Sequence, residues 1–470
     1  MKAIYFIWSL FERFGISLVS FAGNLILAYL LTPADFGLVA MLGVFTSLVF
    51  VLVDCGLSDG LLRESNPSDR DFNTLFVFNT CTGLALCLLY AALSPLVADF
   101  MGNPQLQPVL ATLGIGAIFS GMSISQFARL RSRLKFKRVA MIGIGSIVLA
   151  LTTAIIMALQ GCRYWSLAAL QVCYPAANVL LLLIFGDWHI RFEFDTARFR
   201  QLWKFGVNLL LSTVFAQLAQ NIFSFVLGKY YSATNAGYMG QAQKLQQTPV
   251  NALEAAISGT SFVLIAKCPT DDEKRRQTLR MLGMMSLANA LLCTLMFALC
   301  DPIVGFLLPD KWLPVIPYMR LMLCWALAYP VCNFMLIVFK LFDHTAVIRN
   351  VMIVEKMLIV VAALLLYRQG IETAILAASS ISFLALLVYF ADAQRLCGIS
   401  FLKLLGTYAT STFMAVAAGV AAWAATLPFE TNLMQLAAGI LAFAIATLLL
   451  CRLLRPDYVR YLASKLQSKF

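Results

Sequence analysis

Charged side chains are scarce in this sequence. Asp, Glu, Lys and Arg make up 12% of the 470 residues, whereas a soluble protein has about 25%. Hydrophobic residues make up 61%, and the mean hydropathy is +0.83. A chain this apolar cannot enclose its hydrophobic surface in a water-soluble core, so lipid must be the solvent for most of it. The composition therefore excludes an ordinary soluble enzyme or binding module.

Histidine is nearly absent, and the cysteines form no metal-binding pattern. The two histidines, His189 and His344, fall in polar stretches between apolar segments. No histidine-based metal centre or proton relay is therefore expected inside a membrane. The 12 cysteines include no Cys-x-x-Cys pair, and most lie within apolar segments. We interpret them as small buried hydrophobic residues and predict no metal site.

Fourteen apolar segments are each long enough to cross a bilayer as a helix, which takes about 20 residues. The predicted spans are 10–31, 37–61, 73–97, 106–128, 139–160, 164–185, 205–229, 237–266, 279–300, 313–341, 346–367, 371–391, 402–426 and 432–454. The eighth and tenth are long and carry polar residues. The sequence thus predicts an all-α integral membrane protein.

Basic residues crowd the loops on one side of these spans. That side includes the runs 129–138, 191–204 and 267–280 and the C-terminal tail. The opposite loops hold only four basic residues: Arg163, Lys229, Lys311 and Arg368. Because cytoplasmic loops carry the excess of Lys and Arg, the asymmetry predicts an even number of spans and two cytoplasmic termini. It also accounts for the net charge of +12 without nucleic acid as a partner.

A weak internal repeat has an offset of roughly 200 residues. The end of span one, Leu30–Gly37, matches the end of span seven, Tyr230–Gly237, and further matches follow in order at equivalent loops. A repeat of six spans is inserted twice in the same sense, which predicts parallel repeats. The expected division is an N-lobe at 1–186, a cytoplasmic interfacial linker at 187–204, a C-lobe at 205–392, and two extra spans with a basic tail at 393–470.

The densest polar groups within the spans lie on spans seven and eight. Four residues of span eight are spaced by three, four and three, which places them on one helix face: Lys244, Gln247, Asn251 and Glu254. Span seven contributes a second polar face: Gln217, Gln220 or Asn221, and Ser224. Amides donate and accept hydrogen bonds and a lysine supplies a positive charge, so these faces suit a hydroxyl-rich cargo that carries phosphate.

Other interpretations of the same residues stay open. Amides within membranes also bond helix to helix, and Lys244 can extend to the membrane surface. Glu254 is either a ligand for a coupling ion, Na+ or H+, or the partner of a cation on another span.

Intramembrane polar residues elsewhere are fewer. Asn24 in span one is a further candidate for the cavity. Asp54 is a second candidate for ion coupling, or a helix-end partner of Arg63. The adjacent Glu355 and Lys356 point to different helix faces, so direct neutralisation of one by the other is not expected.

Two pairs near the cytoplasmic side have a structural alternative. Glu12 and Arg13 are either interfacial or flank an entrance from the cytoplasm. The basic run 129–138 is either a topology determinant or a surface that attracts diphosphate head groups.

Several motifs resemble those of a known family. They are Glu12–Gly15, Leu31–Ala40, Val53–Ser58 and Leu134–Lys137 in the first half, and Phe205–Gly206, Leu227–Tyr231, Ala236–Tyr238 and Gln241–Leu245 in the second. In this order they resemble the Wzx-type polysaccharide flippases, in particular the colanic-acid-exporter branch of the multidrug/oligosaccharidyl-lipid/polysaccharide transporter superfamily. One departure is Gln241, where relatives often carry an arginine, which leaves Lys244 as the clearest candidate for a phosphate contact.

The resemblance implies two six-helix lobes around a central cavity and no enzymatic activity. It implies export of undecaprenyl-diphosphate-linked oligosaccharide from the cytoplasmic to the periplasmic leaflet of a bacterial inner membrane. The cargo lipid, membrane lipids and the polymerase and glycosyltransferases of polysaccharide assembly are the expected partners. Two alternatives are a drug/cation antiporter, which favours acidic cavity residues, and a membrane enzyme such as a polymerase or ligase, which needs acid–base or metal-binding residues in sizeable loops.

Overall fold

The computed structural model describes residues 2–62, 64, 67–186, 191–342 and 345–454. Within these ranges the chain is helical and contains no β-strand. The helices are α1 (Lys2–Leu30), α2 (Pro33–Met41), α3 (Gly43–Asp54), α4 (Leu57–Leu62), α5 (Asp69–Met101), α6 (Leu106–Ser132), α7 (Phe136–Leu159), α8 (Tyr164–Phe185), α9 (Thr196–Tyr230), α10 (Ala233–Ala266), α11 (Asp271–Ala298), α12 (Cys300–Leu307), α13 (Val315–Ala326), α14 (Tyr329–Leu341), α15 (Thr345–Leu366), α16 (Ile371–Cys397), α17 (Phe401–Thr426) and α18 (Asn432–Leu454). Short 3-10 helices lie at Asp310–Trp312 and Tyr367–Gln369. His189, His344 and Arg63 fall outside the described residues.

Most predicted spans coincide with one helix, whereas span 37–61 covers α2, α3 and α4, and span 313–341 covers α13 and α14. Among the described residues, 12 helices are long and apolar enough to cross a membrane, and α13 and α14 together form one of them. The pair α2 and α3, bent by 42°, makes 13 when it is counted as one span. The remaining predicted span is α9, which does not meet this criterion within the residues described. The all-α membrane fold is confirmed, while the count of 14 and the arrangement of the lobes stay predictions.

Local sequence explains where several helices begin and end. Thr32 and Ser68 each accept a hydrogen bond from the backbone N–H three residues later, and the carboxylates of Asp35 and Asp71 accept one in return. These reciprocal pairs satisfy N–H groups that a helix start otherwise leaves unpaired. At the other end of α5, Gly102 adopts a φ of 69°, a conformation that closes a helix without steric cost to glycine.

The chain divides into two compact units, residues 1–240 and 241–470. In the first unit α1 packs along α7, α5 along α6, and α8 along both α6 and α7, while α9 packs against α2, α3 and α4. In the second unit α11 packs along α17, α17 along α18 and α15 along α16, while α13 and α14 lie on α16. The predicted division into repeats at 186, 204 and 392 stays a prediction.

Two glycines bring α2 and the start of α10 into close contact within the first unit. A Cβ atom on Gly37 would lie 1.6 Å from the carbonyl oxygen of Ala233, and one on Gly237 would lie 1.9 Å from that of Pro33. Gly37 and Gly237 are equivalent positions in the predicted repeat. The contact is reciprocal, and only glycine permits so close an approach of the two backbones.

Candidate functional site

The predicted polar face of span eight lies on α10. Lys244 and Asn251 are exposed and Gln247 and Glu254 are half-buried, whereas their neighbours on the opposite face, including Gln246, are buried. The helix thus packs with its other amides inward and leaves the predicted face accessible. The spacing of three, four and three correctly places these four side chains along one accessible strip.

Two residues of α14 form hydrogen bonds with the C-terminal half of this face. The hydroxyl of Tyr329 donates to Oδ1 of Asn251 at 3.2 Å, and Nδ2 of Asn333 donates to Oε1 of Glu254 at 2.9 Å. Tyr329 and Asn333 are four residues apart and Asn251 and Glu254 are three apart, so each pair occupies one face of its helix. Sequence reasoning missed both α14 residues. Their spacing of four within an apolar span was the available indication.

A buried polar cluster lies beside this site. Contrary to the prediction, Nζ of Lys356 reaches Oε1 of its neighbour Glu355 at 2.8 Å. The same oxygen accepts a hydrogen bond of 2.9 Å from the Ser382 hydroxyl, which in turn accepts one from Nε1 of Trp325 at 2.9 Å.

The pairing of Lys356 with its neighbour Glu355 has a physical reason. Glu355 is 3% exposed, and an isolated charge at such a position is costly, so the flexible lysine side chain folds back around its own helix to pair with it. Glu254 itself binds Asn333 of α14. Its two interpretations, a ligand for a coupling ion or the partner of a cation on another span, stay predictions.

The polar face of span seven is occupied in part by contacts between helices of the first unit. Nδ2 of Asn221 donates to the Ser47 hydroxyl of α3 at 3.1 Å and to the Gln217 carbonyl at 3.0 Å. This is the helix-to-helix bonding that was the alternative to a cargo contact. Gln220 is exposed, and Asn24 of α1 is 8% exposed.

Asp54 lies at the break between α3 and α4. Cys55 and Gly56 adopt φ values of 50° and 73°, which end α3. The Asp54 carboxylate accepts hydrogen bonds from the backbone N–H and the hydroxyl of Ser58, and so stabilises the first turn of α4. Its role as an ion ligand stays a prediction. Within the described ranges no three His, Cys, Asp or Glu side chains converge as metal ligands.

Three arginines of the basic run 129–138 form ion pairs within the protein. Arg129 and Arg133 contact Asp69 at 2.8 Å and 2.6 Å, and Arg131 contacts Glu12 at 2.8 Å. Glu12 is therefore a partner of α6, while Arg13 is exposed. These pairs connect the end of α6 to α1 and to the start of α5. They also neutralise charge that would otherwise be available to lipid head groups.

The described part of the predicted linker is fixed to the start of α5. Residues 191–195 form neither helix nor strand, and the backbone N–H of Asp195 donates to the Thr74 hydroxyl at 3.1 Å. Arg198 contacts Asp71 at 2.8 Å, and the ring of Phe199 lies 4.8 Å from that of Phe78. The linker is thus anchored by both polar and aromatic contacts, whereas residues 187–190 lie outside the described ranges.

Comparison with known proteins identifies the family of the chain. Residues 26–317 match the family described as "Polysaccharide biosynthesis protein". The chain belongs to this family. A relative in the family is the lipopolysaccharide biosynthesis protein WzxC of Escherichia coli (strain K12), 23% identical over 304 residues, which are 63% of this chain and 61% of the relative. The teichuronic acid biosynthesis protein TuaB of Bacillus subtilis (strain 168) is 23% identical over 318 residues, 67% of this chain and 66% of the relative.

The chain spans slightly less than two thirds of the length of these curated relatives. Among solved structures, the lipid II flippase MurJ in an inward closed conformation matches 96% of this chain and 99% of its own, with a TM-score of 0.74 and 14% identity. An inward-facing multidrug resistance MATE transporter of the MOP superfamily matches 83% of this chain and 98% of its own, with a TM-score of 0.61 and 14% identity. This member of the polysaccharide biosynthesis family therefore has the fold of that superfamily.

Proposed function

We propose that the protein is a flippase for polyprenyl-diphosphate-linked oligosaccharide repeat units. It moves them from the cytoplasmic to the periplasmic leaflet of a bacterial inner membrane by alternating access, for assembly of a surface polysaccharide. Membership of the polysaccharide biosynthesis family and the MurJ-like fold support this proposal. The names of the two relatives refer to lipopolysaccharide and teichuronic acid, which are different polymers, so we propose the class of cargo and not one particular repeat unit.

The observation that carries the proposal is the accessible face of α10. Lys244 provides a positive charge for the diphosphate, and Gln247 and Asn251 provide donors and acceptors for sugar hydroxyl groups. The bond from Tyr329 fixes the orientation of the Asn251 amide, so its remaining groups are presented in a defined direction. Charge at one end and amides along the strip match a cargo with a diphosphate at one end and a sugar chain beyond it.

Transport against a gradient needs an energy source, and Glu254 is the carboxylate placed on the same face. We propose Glu254 as the site at which Na+ or H+ couples to transport, with Asp54 as a second candidate. We also propose, from the excess of basic residues in the loops on one side, that both termini lie in the cytoplasm. A polysaccharide polymerase and glycosyltransferases are the partners that would use and supply the cargo.

The test of the cargo site is the variant Lys244→Gln in a strain that lacks its own flippase for the same polymer. A charge-assisted hydrogen bond to phosphate is worth about 1.5–3 kcal/mol, so export is expected to fall roughly tenfold or more. Surface polysaccharide and the sidedness of the lipid-linked intermediates are measured, and the intermediates should accumulate in the inner leaflet. Lys244→Arg should retain part of the activity.

The matched control is Lys267→Gln, which removes an exposed lysine just past the end of the same helix. It should export normally. Normal export by Lys244→Gln, at an equal protein level in the membrane, would exclude Lys244 as the phosphate contact.

A drug/cation antiporter is the second candidate, because Glu254 lies on the accessible face and the MATE fold is shared. Efflux of a cationic dye separates the two proposals. An antiporter loses dye efflux on Glu254→Gln and tolerates Lys244→Gln, whereas a flippase for diphosphate lipids shows no dye efflux in either form and requires Lys244.

A further inference from the structure

A crevice of about 480 Å³ lies between α11, α13 and α17 in the second unit. Its walls are apolar, with Leu323, Val416 and Val420 among the lining residues, and Arg320 is its one charged lining residue. Val416 and Val420 are 45% and 58% exposed, so the crevice opens on the outer surface of the helices. In a membrane-spanning unit, such an opening faces lipid.

The crevice has a charged end and an apolar end. Arg320 is the first lining residue along α13, its guanidinium lies 5.8 Å from the ring of Phe297, and Trp423 of α17 also lines the crevice. The lining residues of α13 extend from there to Leu327, which at about 1.5 Å per residue is a length of roughly 10 Å. A charged group flanked by aromatic rings, followed by an apolar channel, is the arrangement that membrane proteins present at the level of lipid head groups.

The charged end holds both signs. Nη2 of Arg320 contacts Oδ2 of Asp301 at 2.5 Å, and the Asp301 side chain is 53% exposed. The Arg320 side chain is itself 37% exposed. The pair therefore offers both guanidinium donors and, next to the crevice, a carboxylate that can still accept hydrogen bonds.

We propose that this crevice is a binding site for a zwitterionic phospholipid with a primary ammonium group, that is, phosphatidylethanolamine. The phosphate accepts hydrogen bonds from the exposed part of the Arg320 guanidinium, the ammonium donates to Asp301, and one acyl chain lies along Val416 and Val420. The site is separate from the cargo face of α10, and the proposal does not depend on the cargo.

Charge complementarity selects this head group over two others. The trimethylammonium of phosphatidylcholine has no N–H to donate to Asp301, so it forms a weaker contact. Phosphatidylglycerol carries a net negative charge, and its glycerol hydroxyls offer Asp301 only neutral donors. Its contact therefore lacks the charge assistance of an ammonium and adds an anion beside the carboxylate.

The test measures lipid binding to the delipidated full-length protein by native mass spectrometry. Phosphatidylethanolamine should bind about tenfold more tightly than phosphatidylcholine or phosphatidylglycerol with the same acyl chains. Arg320→Gln should lower its affinity roughly tenfold, and Asp301→Asn should abolish the preference for ethanolamine over choline. The control Asp272→Asn removes the partner of Arg275 in a comparable exposed ion pair and should change neither value.

A second variant tests the apolar part without touching the ion pair. Val420→Trp fills the channel and should prevent binding, whereas Leu448→Trp, on the exposed surface of α18, should not. Exposed ion pairs contribute little to stability, so the charge variants should keep the thermal unfolding temperature of the parent protein. Equal affinities for the three lipids, or full affinity in Val420→Trp, would overturn the proposal.

Discussion

The contact between Gly37 and Gly237 makes a quantitative prediction for the variant Gly37→Ala. The added Cβ atom would lie 1.6 Å from the carbonyl oxygen of Ala233, whereas real Cβ atoms keep 3.0 Å or more from such atoms. The neighbour is backbone rather than the end of a flexible side chain, so α2 and the start of α10 must separate by about 1.4 Å or more. The cost falls only on conformations in which these two segments touch.

The size of the effect follows from the cost of overpacking. Excess volume in a packed interior typically costs about 1–3 kcal/mol. If α2 and the start of α10 separate during transport, the alanine therefore shifts the equilibrium toward the separated form by roughly 5- to 150-fold. Export should fall as this shift grows, because a transporter confined to one conformation completes its transport cycle slowly.

A disulfide measures the contact directly. A Cβ atom on Gly240 would lie 3.1 Å from the Cβ atom of Ala40, close to the separation of about 3.5–4.5 Å found in disulfides. The double variant Ala40→Cys, Gly240→Cys should therefore form a crosslink, which mass spectrometry of the linked peptides detects. Adding Gly37→Ala should lower the crosslink yield strongly.

The control for this experiment is Gly259, which lies on α10 like Gly240. A Cβ atom on Gly259 would meet nothing within 4 Å, so Gly259→Ala should leave both the crosslink and the export unchanged. An undiminished crosslink in Gly37→Ala would refute the close approach of the two helices.

Two further predictions concern thermal unfolding of the purified protein. Glu355→Gln removes the carboxylate that Lys356 and Ser382 share. It should lower the free energy of unfolding by about 3–5 kcal/mol, because it leaves a buried ammonium unpaired. Replacing Glu355 and Lys356 together by methionine should restore much of the loss, and no recovery would contradict the pairing. Trp312→Ala empties a fully buried site and should cost about 3–5 kcal/mol; Trp423→Ala, at a side chain that is 51% exposed, should cost far less, and equal losses would contradict this account of the core.

The membrane fold was predictable because hydropathy and loop charge are properties of the chain itself. Every predicted apolar segment is helical, although two of them are broken into shorter helices. A helix begins after Thr32 because the capping groups of Thr32 and Asp35 are local. The face of α10 was predictable for the same reason, since a spacing of three and four residues fixes which side chains share a helix face.

The partners of those faces depend on tertiary packing, which spacing does not encode. Tyr329 and Asn333 lie about 80 residues from the groups they bind, and Asn221 bonds to Ser47 of a helix far away in sequence. The pairing of Lys356 with Glu355 was mispredicted because the geometry of Cβ directions ignores the length of a lysine side chain. Periodicity identifies a polar surface, whereas packing decides which of its members stay available to a ligand.

The continuity of α10 has a mechanical consequence. The helix is unbroken across residue 240, where one compact unit ends and the next begins. An α-helix behaves as a stiff rod, and this one has a built-in weak point at Pro249, whose ring nitrogen donates no hydrogen bond to the preceding turn. Lys244 lies before that point and Glu254 after it. Bending at Pro249 would therefore change the distance between the cation and the carboxylate, and one angle would set the geometry of both the proposed diphosphate contact and the proposed ion site.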